Sequence, residues 1–210
     1  MTRSPRSRLP ALLMLLSSAT MLAAATHPFP AAAFDIQSVD VQHSGGRYRV
    51  SMRVTLDAPA SHSYAVFADP ARLRRVNRAI REVQVLEERA PDLRRIRTQV
   101  RACVGFFCRQ LEQVQDMRYR PATDGGRIDA QVLPDRGDFR SGQATWVFRA
   151  CGDKRTCLAF DAELEPAFWV PPLLGPWLIQ RKLRDEAIET SHGLERLARE
   201  DASAVPSPSQ

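Results

Sequence analysis

Few residues of this chain are of the kinds that usually perform chemistry. Its four histidines are His27, His43, His62 and His192. His27 lies in an alanine-rich N-terminal stretch, His43 ends a strand pattern at a turn, and His62 opens a short helical pattern. His192, one turn after Ile188 in a helical pattern near the C-terminus, is the histidine placed to reach an interior, and it reads as partly buried and structural. The sequence holds no Ser-His-Asp arrangement, no His-Glu-x-x-His and no phosphate-cradling glycine loop. Gly45-Gly46 and Gly125-Gly126 are turn glycines, and Asp135 and Asp138 read as a solvated loop rather than an acid–base pair. The four cysteines form two local pairs, Cys103 with Cys108 and Cys151 with Cys157. Neither spacing is usual for zinc and no histidine is near, so no metal site is expected. An even count in local pairs predicts two disulfides, Cys103–Cys108 and Cys151–Cys157, and an oxidising compartment. What remains is the chemistry of binding, carried by uncharged polar side chains such as Thr98, Gln113 and Gln115.

The elements that would position these residues are legible from periodicity. Residues 36–43 alternate, Gly45-Gly46 turns, and 48–56 alternate again, which is a hairpin signal. Residues 61–68 form a short helical pattern capped by Ser61, and 71–76 a second one. Strand patterns follow over 80–88, 93–103, 108–120, 127–133, 139–151 and 157–165, separated by turn residues. Connections this short favour antiparallel neighbours. Placing Cys103 opposite Cys108 puts Ile96, Thr98 and Val100 on one side with Leu111, Gln113 and Gln115, leaving Arg95, Arg97, Arg101 and Glu112 in water. Placing Cys151 opposite Cys157 sets Phe148 against Phe160 and Trp146 against Ala162, all on one apolar side. Val147, Arg149, Asp161 and Glu163 take the other side.

From Pro172 to Glu200 one long helix is predicted, with Leu173, Trp177, Gln180, Leu183, Ala187, Thr190, Leu194 and Leu197 as its apolar stripe. A meander of strands followed by a long amphipathic helix has one economical packing, a curved antiparallel sheet wrapped around the helix. The stripe is bulky at both ends and small at Ala187 and Thr190. That gap leaves room for a ligand, although close packing of helix on sheet would use the same residues. Trp146, Phe148, Phe160, Trp177, Ala187 and Ile188 are the expected walls of such a pocket, with Thr98, Gln113 and Gln115 facing a polar head group.

The ends fall outside this domain, which is expected to span 34–200. Arg3, Arg6 and Arg8 precede an apolar run and then small residues, the pattern of a secretory signal peptide over 1–25. Ala23-x-Ala25 and Ala31-x-Ala33 both fit a cleavage site, and an uncleaved anchor is the alternative. Residues 201–210 have almost nothing to bury and read as a disordered tail. The formal charge of +6 owes half its value to the leader's arginines, so about +3 remains on the mature chain. Export and scattered arginines argue against nucleic acid as a partner. Weak attraction to an anionic membrane is the one macroscopic contact the charge leaves open. Nothing in the sequence addresses the oligomeric state.

Several stretches carry a family resemblance. Residues 55–73 (TLDAPASHSYAVFADPARL) resemble the opening segment of the START-like, helix-grip superfamily, where a strand ends at Ala-Pro and a helix leads to an aspartate. Residues 77–86 resemble its next strand. Residues 168–177 (FWVPPLLGPW), followed by Leu194-Glu-Arg-Leu197, resemble the hinge and helix end of an exported bacterial branch. That branch stands with the polyketide cyclase/dehydrase and coenzyme Q-binding START-like proteins, and the resemblance covers roughly residues 48–198. It implies an α+β helix-grip fold and a periplasmic or secreted carrier of an apolar molecule of lipid, isoprenoid or quinone type, without a cofactor. It also implies two alternatives, because one grip hosts many functions. A cyclase would need polar groups inside the pocket, and Thr98, Arg109, Gln113, Gln115 and His192 are those on offer, with no carboxylate on the same face. An exported interaction protein would have a filled grip.

Overall fold

A computed structural model describes residues 34–104, 107–152, 154–173 and 175–204. The expected signal peptide and residues 205–210 lie outside them. Eleven elements follow in chain order: β1 (Asp35–Ser44), β2 (Arg47–Leu56), α1 (Ala60–Ala68), α2 (Leu73–Val76), β3 (Ile80–Ala90), β4 (Leu93–Val104), β5 (Phe107–Ala122), β6 (Gly125–Gly137), β7 (Phe139–Ala150), β8 (Thr156–Pro166) and α3 (Gly175–Ala204). The eight strands form one antiparallel sheet in the order β1-β2-β8-β7-β6-β5-β4-β3. Five consecutive hairpins make the meander from β3 to β8, and the β1–β2 hairpin docks through β2 onto β8. The helices lie on one face, where α3 meets α1, α2, β1, β2 and β4. This is the α+β grip expected from the sequence.

Alternation decides which side chains meet the helices. Val50, Met52 and Val54 of β2, Ile96 of β4, Met117 of β5, Ile128 of β6, Phe148 of β7 and Leu158 of β8 point inward and are buried. They close on Val66 and Phe67 of α1, Leu73 and Val76 of α2, and Leu194, Leu197 and Ala198 of α3. Burying each large apolar side chain contributes about 1.5–3 kcal/mol, so this shared core is what holds helix to sheet. The opposite face is a lattice of cross-strand ion pairs. Arg49 meets Glu163 at 2.6 Å, Arg53 meets Asp161 at 3.0 Å, and Arg95 meets Asp116 at 2.7 Å. The exposed pairs among them each contribute about 0–1 kcal/mol and mainly keep that face in water.

Three details differ from the sequence-based expectation. The N-cap of α1 is Pro59, at φ −60° and ψ 141°, rather than Ser61, because proline already holds the extended geometry that a cap requires. Ser63 instead bonds Thr156 Oγ1 at 2.9 Å, and Thr156 donates to the Ala58 carbonyl at 2.6 Å, tying α1 to the start of β8. On β7–β8 the register is shifted by two residues. Trp146 faces Phe160, Phe148 faces Leu158, and Ala144 faces Ala162, because Cys151 stands beyond the last ladder pair, Ala150–Thr156. An even shift leaves every side chain on its assigned face. Finally, α3 continues through Asp201, expected in a tail, to Ala204. Asp201 accepts from Arg72 Nη2 at 2.8 Å, which anchors the helix end to the segment before α2.

Both disulfides form as paired from the spacing. Cys103 and Cys108 are 4.0 Å apart at Cα, and Cys151 and Cys157 are 5.7 Å apart. They staple the β4–β5 and β7–β8 turns, which lie at opposite ends of the sheet.

Candidate functional site

Three alternate ladder pairs of β4 and β5, Ile96–Gln115, Thr98–Gln113 and Val100–Leu111, stand in the register expected from the cysteines. Beside them β5 meets β6 irregularly. Gln113 pairs with Gly137 and Gln115 with Val132, so residues 133–136 bulge out of the ladder. The strand bends there, as bulged strands do. Gly137 takes φ +150° and approaches so closely that a Cβ would meet the Glu112 carbonyl oxygen at 2.3 Å, so only glycine fits. Between this irregular part of the sheet and α3 lies a space.

That space is a cavity of about 280 Å³. Its sheet wall includes Val50, Met52, Thr98, Val100, Gln113, Gln115, Met117, Trp146, Leu158 and Phe160, and its helix wall Leu183, Glu186, Ala187, Thr190, Ser191 and Leu194. Phe67, Leu73 and Ile80 close one end. The volume falls just below the usual range for small-molecule pockets, about 300–1,000 Å³, and the apolar lining with few polar groups is their usual composition. Trp146 stacks on Phe160 with centroids 5.2 Å apart, giving a flat aromatic wall.

The polar groups divide between the two walls. On the sheet, Thr98 is 6% exposed and its hydroxyl has no hydrogen-bond partner among the described residues. Leaving a buried hydroxyl unpaired costs about 1–3 kcal/mol. Gln115, 8% exposed, offers its amide only to the Met117 sulfur at 3.5 Å. On the helix, Glu186 is held by Asn77 Nδ2 at 2.7 Å and by an ion pair with Lys182, and Asn77 Nδ2 also reaches Thr190 Oγ1 at 2.9 Å. The hydroxyls of Thr190 and Ser191 donate to carbonyls one turn back.

Of the residues named from sequence, Thr98, Gln113, Gln115, Trp146, Phe160 and Ala187 meet around this cavity. Three do not. Phe148 is 2% exposed but lies deeper, edge-on to Tyr64 and packed on Phe67. Ile188 packs against the core beside the cavity rather than on its wall. Trp177, in the first turn of α3, is 57% exposed. Arg109 and His192 also lie elsewhere. Arg109 binds Asp138 and stacks over Phe168, and His192 stacks on Phe34 at 3.9 Å. Sequence reasoning missed Glu186, a carboxylate on the cavity wall. Its position directly before Ala187 in the stripe was the available signal. It also misjudged Asp138, which accepts from Arg109 Nη2 and the Glu112 amide, each at 2.8 Å, while its carbonyl accepts from the Ala167 amide at 2.8 Å. This clasp joins β5 to the segment leading into α3.

A larger depression of about 780 Å³ lies on the outer face, lined by Arg49, Asp116, Arg118, Arg120, Arg127, Asp129, Asp161 and Glu163. Its charges already satisfy each other, as in the 2.6 Å contact of Arg127 with Asp129. The smaller inner cavity, with its unpaired hydroxyl, is the better site for a ligand. Among the described residues no group of three or more metal-binding side chains comes together.

Residues 56–189, more than half of the chain, match the family model described as polyketide cyclase / dehydrase and lipid transport. No curated protein matches. Among solved structures the fold is similar to that of the Zhui aromatase/cyclase from Streptomyces, with a TM-score of 0.64 at 16% identity over 75% of this chain and 97% of that one. It is similar also to human STARD10, with a TM-score of 0.60 at 12% identity over 79% and 74% of the two chains. A STAR-related lipid transfer protein from Xanthomonas axonopodis gives 0.56 at 14% identity over 77% and 98%. At these identities the likeness is one of fold.

Proposed function

This chain belongs to the polyketide cyclase/dehydrase and lipid transport family of START-like proteins, and from that premise we propose that it binds an apolar small molecule of lipid, isoprenoid or quinone type and carries it unchanged. The observation that carries this reading is the cavity between β-sheet and α3 with the unpartnered Thr98 hydroxyl in its wall. The ligand's apolar body lies along Trp146 and Phe160, and Thr98, Gln113 and Gln115 hold its polar head. The carrier works outside the cytoplasm, in the periplasm or medium. The leader pattern over 1–25 and the two disulfides support that placement.

Native mass spectrometry of the protein purified from its own compartment tests the reading. A non-covalent adduct of an apolar compound is expected, with a chain beginning at Thr26 or Phe34. Thr98→Val and Gln113→Leu should change which compounds are retained more than the total amount. A bare mass, together with no uptake of a fluorescent fatty acid or a short-chain quinone, would sink the carrier reading and favour an interaction protein.

One observation favours a second reading, a cyclase-like enzyme. Glu186 supplies the cavity-wall carboxylate that proton transfer to a polyketide-like carbonyl compound would require, with Asn77 and Lys182 orienting it. Turnover of a poly-β-keto substrate that Glu186→Gln abolishes would establish it.

A further inference from the structure

The segment between β8 and α3 leaves three large apolar side chains in solvent. Trp169 is 78% exposed, Leu173 93% and Trp177 57%. Single exposed apolar residues need no explanation, but three within one short stretch form a patch. The third tryptophan, Trp146, is by contrast stacked on Phe160 inside. The stretch is also held in place rather than free to fold away, by the Ala167–Asp138 bond and by a 2.9 Å bond from the Gly175 amide to the Pro171 carbonyl.

Among the described residues, two free cations stand beside the patch. Residues 166–184 hold Arg181, Lys182 and Arg184; Asp185 and Glu186 follow, and Glu186 takes Lys182 as its ion-pair partner. Arg181 and Arg184 are exposed, and the Arg181 guanidinium lies 5.9 Å from the Trp177 ring centroid. Tryptophan and leucine beside arginine is the composition that settles at a bilayer surface, with rings at head-group level and guanidinium groups on phosphates. A protein partner would cover the apolar groups equally well. Arg181 and Arg184, which make no ion pair among the described residues, favour an anionic lipid surface, whose phosphates attract such cations. The patch also borders the cavity, since Leu183 on its wall is six residues beyond Trp177, about 9 Å along the helix.

We propose that Trp169, Leu173 and Trp177, with Arg181 and Arg184, form a face that docks the protein onto an anionic phospholipid bilayer. The chain lies on the membrane by this face; no described helix is long and apolar enough to cross one. Docking is independent of the carrier reading, because vesicle binding is measured without a cavity ligand.

Two of the three tryptophans sit in the face, so intrinsic fluorescence of the full chain reports on it directly. With vesicles of phosphatidylcholine and phosphatidylglycerol at low salt, emission is expected to shift to shorter wavelength and to be quenched by brominated acyl chains. Partition should fall about tenfold or more on pure phosphatidylcholine, and by a similar factor in Arg181→Glu/Arg184→Glu. Trp169→Ala/Leu173→Ala/Trp177→Ala should abolish it without moving the thermal midpoint, since the side chains are in solvent. If that triple variant does not fold, the charge-reversal variant carries the test. No shift or quenching on the anionic vesicles, equal partition on neutral ones, or lipid-free self-association that buries the tryptophans would overturn the proposal.

Discussion

Gly193 of α3 passes α2 so closely that a Cβ on it would lie 1.8 Å from the Val76 carbonyl oxygen. Only a hydrogen atom fits there, so the contact fixes how deeply the C-terminal half of α3 sits over the sheet. Alanine is the better helix former by about 1 kcal/mol. Gly193→Ala should nevertheless destabilise the protein by about 1–3 kcal/mol or more, because backbone has to move. Urea unfolding would measure it, and a variant as stable as the wild type would show that α2 yields freely.

Ala187 lies on the helix wall of the cavity and is 8% exposed. Ala187→Trp should fill the space and weaken binding of a fluorescent fatty acid about tenfold or more, which corresponds to at least about 1.4 kcal/mol. The fold should persist by circular dichroism. Outright unfolding would mean that the space is core, and the carrier reading would lose its main support.

Acid should unfold the protein progressively. The Arg95 guanidinium bonded to Asp116 holds its carboxyl below the usual range, Arg127 does the same for Asp129, and Arg72 for Asp201. A carboxyl with a folded pKa lower than its unfolded one stabilises the fold above the unfolded value, about 3.9, and loses that contribution as pH falls through the folded value. Thermal midpoints should therefore stay level near neutrality and drop below about pH 4. Asp201→Asn should lower the neutral midpoint and flatten the acid limb; an unchanged acid limb would remove Asp201 from the account.

Each disulfide closes a loop of only a few residues and should contribute about 2 kcal/mol. Peptide mapping should find Cys103 joined to Cys108 and Cys151 to Cys157. A Cys103–Cys151 peptide would contradict the strand order, since the two turns lie at opposite ends of the sheet.

The sequence made some of this visible and hid the rest for physical reasons. The β4–β5 register was readable because the cysteine pair is itself a ladder pair, Cys103–Cys108. On β7–β8 the same reasoning slipped by two, since Cys151 bonds from outside the ladder, yet a period of two preserved the faces. Helical periodicity found Leu183, Ala187 and Leu194 but could not tell that α3 begins at Gly175 rather than Pro172, leaving Leu173 before the helix, or that Trp177 stands in solvent. Depth was equally hidden. Phe148 and Trp146 share a face, and only the position of α1 buries Phe148 beneath Tyr64 and Phe67. Glu186 reads as a surface charge until Asn77, far away in sequence, is seen to hold it.

The place of β2 in the sheet has a consequence for how the chain acquires its shape. Its inner partner is β8, synthesised about a hundred residues later, with Tyr48 facing Leu164 and Leu56 facing Thr156. Hairpins β3 through β8 can close as they emerge, with the cysteines of the β4–β5 and β7–β8 hairpins already neighbours. The β1–β2 hairpin must wait for the last strand with one edge open. That seam is the most non-local pairing in the sheet, the kind of contact that slows folding. Until then the waiting edge is guarded by Arg47, Arg49 and Arg53, whose carboxylate partners Glu163, Glu165 and Asp161 arrive only with β8. Cations on an unpaired strand resist edge-to-edge aggregation. The same arginines that end as modest surface ion pairs thus put charge on that edge while it is open.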